Sequence, residues 1–83
     1  MTAELTVYWR PGCPYCFRLK SRLKLARVPF RAVNIREDPD AAGVVRSVNN
    51  GDELVPTVRI GADRYLSNPS FRDLRTAMAD AGR

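Results

Sequence analysis

Cys13 and Cys16 are the only cysteines in the chain, and they stand as Cys13-Pro14-Tyr15-Cys16 between a strand-like run and a helix-like one. Two thiols at this spacing have three uses open to them. As a structural disulfide they would stabilise poorly, because a cross-link works chiefly by closing a long loop in the unfolded chain, and two intervening residues leave almost none. As a structural zinc site they fall short of the usual four ligands, since a chain without histidine could add only carboxylates to the two thiolates. A metal would need a second subunit, and no metal site is assigned. Thiol-disulfide exchange needs only a thiolate and a second thiol in reach, and Cys-X-X-Cys in a strand-to-helix setting is the pattern of thioredoxin-like redox motifs. Redox chemistry is the reading adopted, ahead of metal binding or inert core cysteines.

The attacking species in such exchange is the thiolate, and a free cysteine is mostly protonated near neutral pH. At the start of a helix the Cys13 sulfur can accept hydrogen bonds from unpaired backbone N–H groups, here those of Tyr15 and Cys16, and it faces the positive end of the helix. Pro14 suits the first helical position, where its missing N–H leaves no donor unsatisfied. Arg10 can add positive charge near the sulfur. Cys16, one turn later, falls on the apolar stripe of the helix, where burial opposes ionisation. The expected roles therefore differ: Cys13 attacks and Cys16 resolves.

These two sulfurs must be positioned by the surrounding elements. Leu5-Thr6-Val7-Tyr8-Trp9 is rich in β-branched and aromatic residues and stops at Arg10-Pro11-Gly12, which predicts a strand closed by a loop. From Cys13 onward, Cys16, Leu19, Leu23 and Ala26 recur at helical spacing. Phe30 to Ile35 predicts a second strand, and Asp38-Pro39 starts a second helix with the stripe Ala41, Val44, Val45 and Val48, ended by Asn49-Asn50-Gly51. Thr57-Val58-Arg59-Ile60 and Arg64-Tyr65-Leu66, separated by Gly61-Ala62-Asp63, predict a hairpin. Asn68-Pro69 opens a last helix with the apolar face Leu74, Ala77, Met78 and Ala81, extended backward by Phe71. Pro56 starts the third strand, and taken alone the Val55-Pro56 bond is expected to be trans, the form of all but about 5–6% of X-Pro bonds. This order implies a crossover between two parallel strands and a later antiparallel hairpin. The fold class is α/β, a three-layer sandwich with a four-stranded mixed sheet and helices on both faces.

Residues 1–83 are expected to form one small domain. No signal-like segment or apolar run of membrane length occurs, so a cytoplasmic protein with no membrane partner is expected, a compartment in which vicinal thiols stay free. The formal net charge is +5, with arginine far outnumbering lysine and the basic residues spread along the chain. Without a basic stripe or a recognised motif, nucleic acid is not expected as a partner. Attraction for anionic partners stays open.

Arg10-Pro11-Gly12-Cys13-Pro14-Tyr15-Cys16, Leu54-Val55-Pro56-Thr57-Val58 and Leu66-Ser67-Asn68-Pro69-Ser70 together resemble the glutaredoxins across essentially the whole chain. Ser47-Val48-Asn49 and Asn68-Pro69-Ser70 resemble the actinobacterial mycoredoxins within that family. The resemblance implies the thioredoxin fold, a cis bond before Pro56, and Cys13 as nucleophile with Cys16 beside it. It implies a substrate-binding groove that includes Pro56, in which Val55 backbone atoms pair with the thiol-bearing substrate, Tyr15 forms a wall, and Arg10 stands where many glutaredoxins carry lysine. Glutathione-dependent members have a Gly-Gly and an acidic pair before the last helix. Ser67-Asn68-Pro69-Ser70 replaces them here. Mycothiol, an acetylated cysteine on a sugar pseudodisaccharide, has no free carboxylate or amine at those places, and hydroxyl and amide groups at Ser67 and Asn68 suit its sugar hydroxyls. The competing use of Asn68 and Ser70 is to cap the helix.

The function implied is reduction of mixed disulfides between proteins and mycothiol, with mycothiol as co-substrate, no bound cofactor, S-thiolated proteins as clients and a monomeric enzyme. A second reading is the glutaredoxin-like electron donor of ribonucleotide reductase, recharged by thioredoxin reductase; Phe71-Arg72-Asp73 is faintly similar to its C-terminal motif, but the Trp-Ser-Gly and proline around that motif are missing. A third is a dimer bridging an iron–sulfur cluster through Cys13 and two external thiols.

Overall fold

A computed structural model describes residues 4–61 and 64–81. The strands are β1 (Leu5–Trp9), β2 (Arg31–Asn34), β3 (Thr57–Ile60) and β4 (Arg64–Ser67), and the helices α1 (Pro14–Leu25), α2 (Pro39–Val48) and α3 (Phe71–Ala81). The sheet runs β2-β1-β3-β4. β1 pairs parallel with β2 and antiparallel with β3, and β3 pairs antiparallel with β4. The crossover through α1 and the late hairpin are thus as expected, and the fold is the thioredoxin-like mixed sandwich. The predicted turn residues Ala62 and Asp63 and the side chain of Ala81 lie outside what is described.

Alternation along β1 divides its side chains between two cores. Leu5 and Val7 join Leu19 and Leu23 of α1, Val58 and Ile60 of β3, and Leu74 and Ala77 of α3. Tyr8 joins Cys16, Ile35, Val55 and Ala41, Ala42 and Val45 of α2. Cys16 therefore leaves the stripe it shares with Leu19 and Leu23 and packs into the second core.

Three details differ from the periodic pattern, each for a local reason. α1 ends one residue before the expected stripe does. Ala26 is its cap and lies exposed, Arg27 takes a left-handed φ of 57°, and its N–H and that of Val28 bond back to the carbonyls of Lys24 and Leu23. This is the Schellman closure that usually employs glycine at the left-handed position. α2 is rotated so that Ala42 is buried and Val48 exposed, the small alanines lying against the sheet. α3 starts at Phe71 rather than at Asn68-Pro69, because Ser70 is its cap: the Ser70 Oγ accepts from Asp73 N at 3.0 Å.

Candidate active site

Gly12 has a φ of +83°, a left-handed conformation that favours glycine, and this turn hands the chain from β1 into α1. Cys13 follows as the cap residue of α1, in extended backbone, with Pro14 in the first turn. Its carbonyl accepts from Phe17 N at 3.1 Å while its Sγ accepts from Cys16 N at 3.2 Å, so the side chain takes up an N–H that the helix itself leaves unpaired. Among the described residues, Cys16 is the one backbone donor to this sulfur, whereas Tyr15 was expected to donate as well. No acidic residue lies in the first turn of α1, so no carboxylate there opposes negative charge on the sulfur.

The second boundary of the site comes from the loop before β3. The Val55-Pro56 peptide bond is cis, in agreement with the family resemblance and against the expectation for an isolated X-Pro bond. The Val55 carbonyl oxygen stands 3.7 Å from the Cys13 Sγ, within reach of a thiol donor. Val55 and Pro56 are themselves buried. Cys13 is partly exposed, whereas Cys16 is 1% exposed and both thiols are free. Burial, reinforced by the hydrogen bond with Cys13, pushes the Cys16 thiol up to about 12, so it stays protonated at neutral pH.

The remaining predicted residues separate into two groups. Tyr15 is 61% exposed and lines a cleft of about 410 Å³ with Asn68, Pro69 and Ser70, beside the redox motif. Arg10 is exposed on the loop before Cys13, with its backbone at the Cys16 thiol. Ser67, in contrast, is already engaged, since its hydroxyl donates to Asn49 Oδ1. Asn68 takes a φ of 46° and donates its backbone N–H to the Pro56 carbonyl at 2.7 Å, which ties the start of the β4–α3 loop to the cis-proline turn.

Asn49 is a residue that sequence reasoning used as a helix terminator and as part of the Ser47-Val48-Asn49 resemblance, without a role in the site. Its Nδ2 donates to Val45 O at 2.8 Å and to Thr57 Oγ1 at 3.2 Å, its Oδ1 receives Ser67, and Thr57 Oγ1 donates to Leu54 O at 2.6 Å. One amide thus joins the end of α2, the loop that presents Val55, and the end of β4. Neither an asparagine just past a helix nor the Ser47-Val48-Asn49 resemblance carries information about partners 8 and 18 residues away. On the other side of the motif, Lys20 Nζ sits 3.4 Å from the centroid of the half-buried Trp9 ring, a cation–π contact that fixes α1 against the end of β1.

A buried, protonated thiol beneath a partly exposed one at a helix start is an arrangement for thiol-disulfide exchange. Among the described residues no group of three or more cysteine, aspartate or glutamate side chains is placed to hold a metal ion. The family model described as glutaredoxin matches residues 5–64. A Mycobacterium tuberculosis protein carrying the name glutaredoxin is 38% identical over 78 residues, spanning 94% of this chain and 93% of its own. Mycoredoxin 1 of Corynebacterium glutamicum is 35% identical over 68 residues, spanning 81% and 82%. The crystal structure of a glutaredoxin from Archaeoglobus fulgidus superimposes with a TM-score of 0.72 at 28% identity, covering 89% of this chain and 84% of that one.

Proposed function

This chain belongs to the glutaredoxin family of thiol-disulfide oxidoreductases, and on that footing we propose that it reduces mixed disulfides between proteins and mycothiol, with Cys13 as nucleophile. The Cys13 thiolate attacks the mycothiol sulfur of the mixed disulfide. A Cys13–mycothiol disulfide forms, and the client leaves as a thiolate that takes up a proton. A second mycothiol thiolate then attacks the mycothiol sulfur bound to Cys13, releasing mycothiol disulfide and restoring the Cys13 thiolate. The net reaction consumes one free mycothiol per mixed disulfide and yields the client thiol and mycothiol disulfide. In the dithiol variant Cys16 gives up its proton, attacks Cys13 and expels mycothiol, leaving a Cys13–Cys16 disulfide for a later reductant.

The observation that carries this reading is the placement of the Cys13 sulfur between the Cys16 N–H and the Val55 carbonyl, with Cys16 buried beneath. Once Cys13 is in a disulfide it no longer donates to Val55, and that carbonyl becomes free to accept an N–H from the bound thiol compound. In this reading Tyr15 and Pro56 wall the bound thiol compound, Asn68 supplies an amide to the sugar, and Arg10 adds positive charge. Ser67 serves through an oxygen lone pair, because its proton is committed to Asn49. Mycothiol is favoured over glutathione by the Ser67-Asn68-Pro69-Ser70 segment, which offers no acidic pair to a charged tripeptide end, and by the likeness to a protein named Mycoredoxin 1. The reading has the protein act as a cytoplasmic monomer without a bound cofactor; no helix of the described residues is long and apolar enough to cross a membrane.

The test is an electron-donor comparison with one mixed-disulfide substrate. Turnover is expected with mycothiol and its reductase and to be much weaker with glutathione. Turnover with thioredoxin reductase alone would overturn the proposal in favour of a reductase-recharged dithiol donor.

A further inference from the structure

A groove runs between α1 and α3, away from the redox motif, and its charge is one-sided. It starts at Tyr15 and is lined by Arg18 and Arg22 on α1 and by Arg72 and Arg75 on α3, with Phe71 in its wall. Among the described residues no carboxylate lines it. Two of the guanidinium groups are held in place by stacking: Arg22 lies 4.9 Å and Arg75 5.9 Å from the Phe71 ring centroid. A stacked guanidinium keeps its N–H edge available for bidentate pairing with a carboxylate and loses less side-chain freedom when it makes that pair.

We propose that this groove docks an acidic segment of the client protein, close in sequence to the cysteine whose mixed disulfide is reduced. The proposal rests on the thiol-disulfide reading of the site, since a client cysteine brought to Cys13 forces its neighbouring residues across the adjoining surface. Tyr15 to Arg22 spans seven residues of helix, about 10 Å at 1.5 Å per residue, which an extended peptide covers in about three to four residues. The acidic residues are therefore expected within about four positions of the modified cysteine. The partly buried Phe71 gives the segment an apolar surface to lie on between the charges. A continuous basic groove also attracts nucleic acid, but the groove starts at Tyr15, within the Cys13-Pro14-Tyr15-Cys16 motif, which favours a partner that carries a thiol.

The experiment compares two peptides whose central cysteine carries the same small thiol, one flanked on both sides by aspartate and glutamate, the other by lysine. At low ionic strength the acidic peptide is expected to have a kcat/KM about tenfold or more higher, a difference that contracts toward unity near 0.5 M salt. Arg72→Glu combined with Arg75→Glu leaves two positive and two negative groups in the groove and should bring the ratio close to unity. Equal kcat/KM for the two peptides, or a ratio untouched by the charge reversal, would overturn the proposal. Binding of the same peptides with serine in place of cysteine, followed through amide shifts of Arg18–Arg22 and Arg72–Thr76, reads the groove without the chemistry. If neither peptide is turned over but the acidic one shifts those amides, the reaction assignment fails and the docking surface stands. If a single-stranded oligonucleotide shifts them at lower concentration than the acidic peptide, the groove belongs to nucleic acid and the proposal falls.

Discussion

The two faces of the sheet are built from different materials. Under α1 and α3 the buried residues are all aliphatic: Leu5, Val7, Leu19, Leu23, Val58, Ile60, Leu74 and Ala77. Under α2 the buried set includes a phenol and a thiol, Tyr8 and Cys16, and beside them runs the Asn49–Thr57–Ser67 hydrogen-bond network. The second face also keeps two buried polar atoms without a protein partner, Thr6 Oγ1 and Arg59 Nε. Aliphatic burial is non-directional and stabilises in proportion to area, whereas hydrogen bonds fix particular atoms at particular distances for a modest net gain. The first face therefore holds the molecule together, and the second holds the loop that presents Val55 to the Cys13 sulfur.

Substitutions can separate the two contributions. Cys13→Ser should reduce turnover of a mixed disulfide to the uncatalysed background while leaving the unfolding free energy within about 0.5 kcal/mol of the parent, since the serine Oγ can still accept from Cys16 N. Residual turnover above background would place the nucleophile elsewhere. Leu23→Ala, on the aliphatic face, should cost about 2–5 kcal/mol in denaturant unfolding through lost burial and the cavity left behind. The kcat/KM of the protein that remains folded should be nearly unchanged; a large fall there would mean that the faces do not divide the work.

Asn49→Ala tests the other face with a smaller energetic effect. Losing the amide strands Ser67 and part of the Thr57 environment and should cost about 1–3 kcal/mol. Per kcal/mol of stability lost, it should lower kcat/KM more than Leu23→Ala does, because it releases the loop before β3. Equal activity of the two variants at matched stability would contradict that role. The last test is of pH dependence, far from neutral pH. With the buried Cys16 thiol raised from the ordinary 9.0 to about 12, the unfolded chain ionises this group first. Its contribution to stability is therefore complete below about pH 9 and is lost as pH climbs from 9 toward 12. Denaturant titrations across that window should show a shallower fall for Cys16→Ala than for the parent, and parallel curves would show that the thiol is not shielded.

Much of this arrangement was legible in the residues because the signals are local. The strand β1, the start of α1 at Cys13-Pro14, the cap at Asp38, whose Oδ1 accepts from Ala41 N at 3.1 Å, and the hairpin all follow from spacing and turn chemistry. What failed to show itself depends on contacts or on substitutions of the usual residue. The Schellman end of α1 carries Arg27 where glycine is the cue, so the apolar stripe read on into Ala26. In α2 the choice between Ala42 and Val48 depends on how closely the helix approaches the sheet, which periodicity does not encode. Of the two residues read as candidate caps, Ser70 caps α3, while Asn68 spends its N–H on Pro56 and leaves its amide exposed. The convergence of Asn49, Thr57 and Ser67 is long-range and has no signature in any one segment.

The central claim is that the two thiols differ in kind, the first presented at a helix start and the second sealed beneath it as a neutral thiol. Alkylation of the reduced, folded protein with iodoacetamide at pH 7, with sites assigned by mass spectrometry of peptides, reads this difference directly. One adduct per chain, on Cys13, is predicted, with Cys16 modified only after denaturation. Modification of Cys16 at a rate equal to or above that of Cys13 would contradict the account.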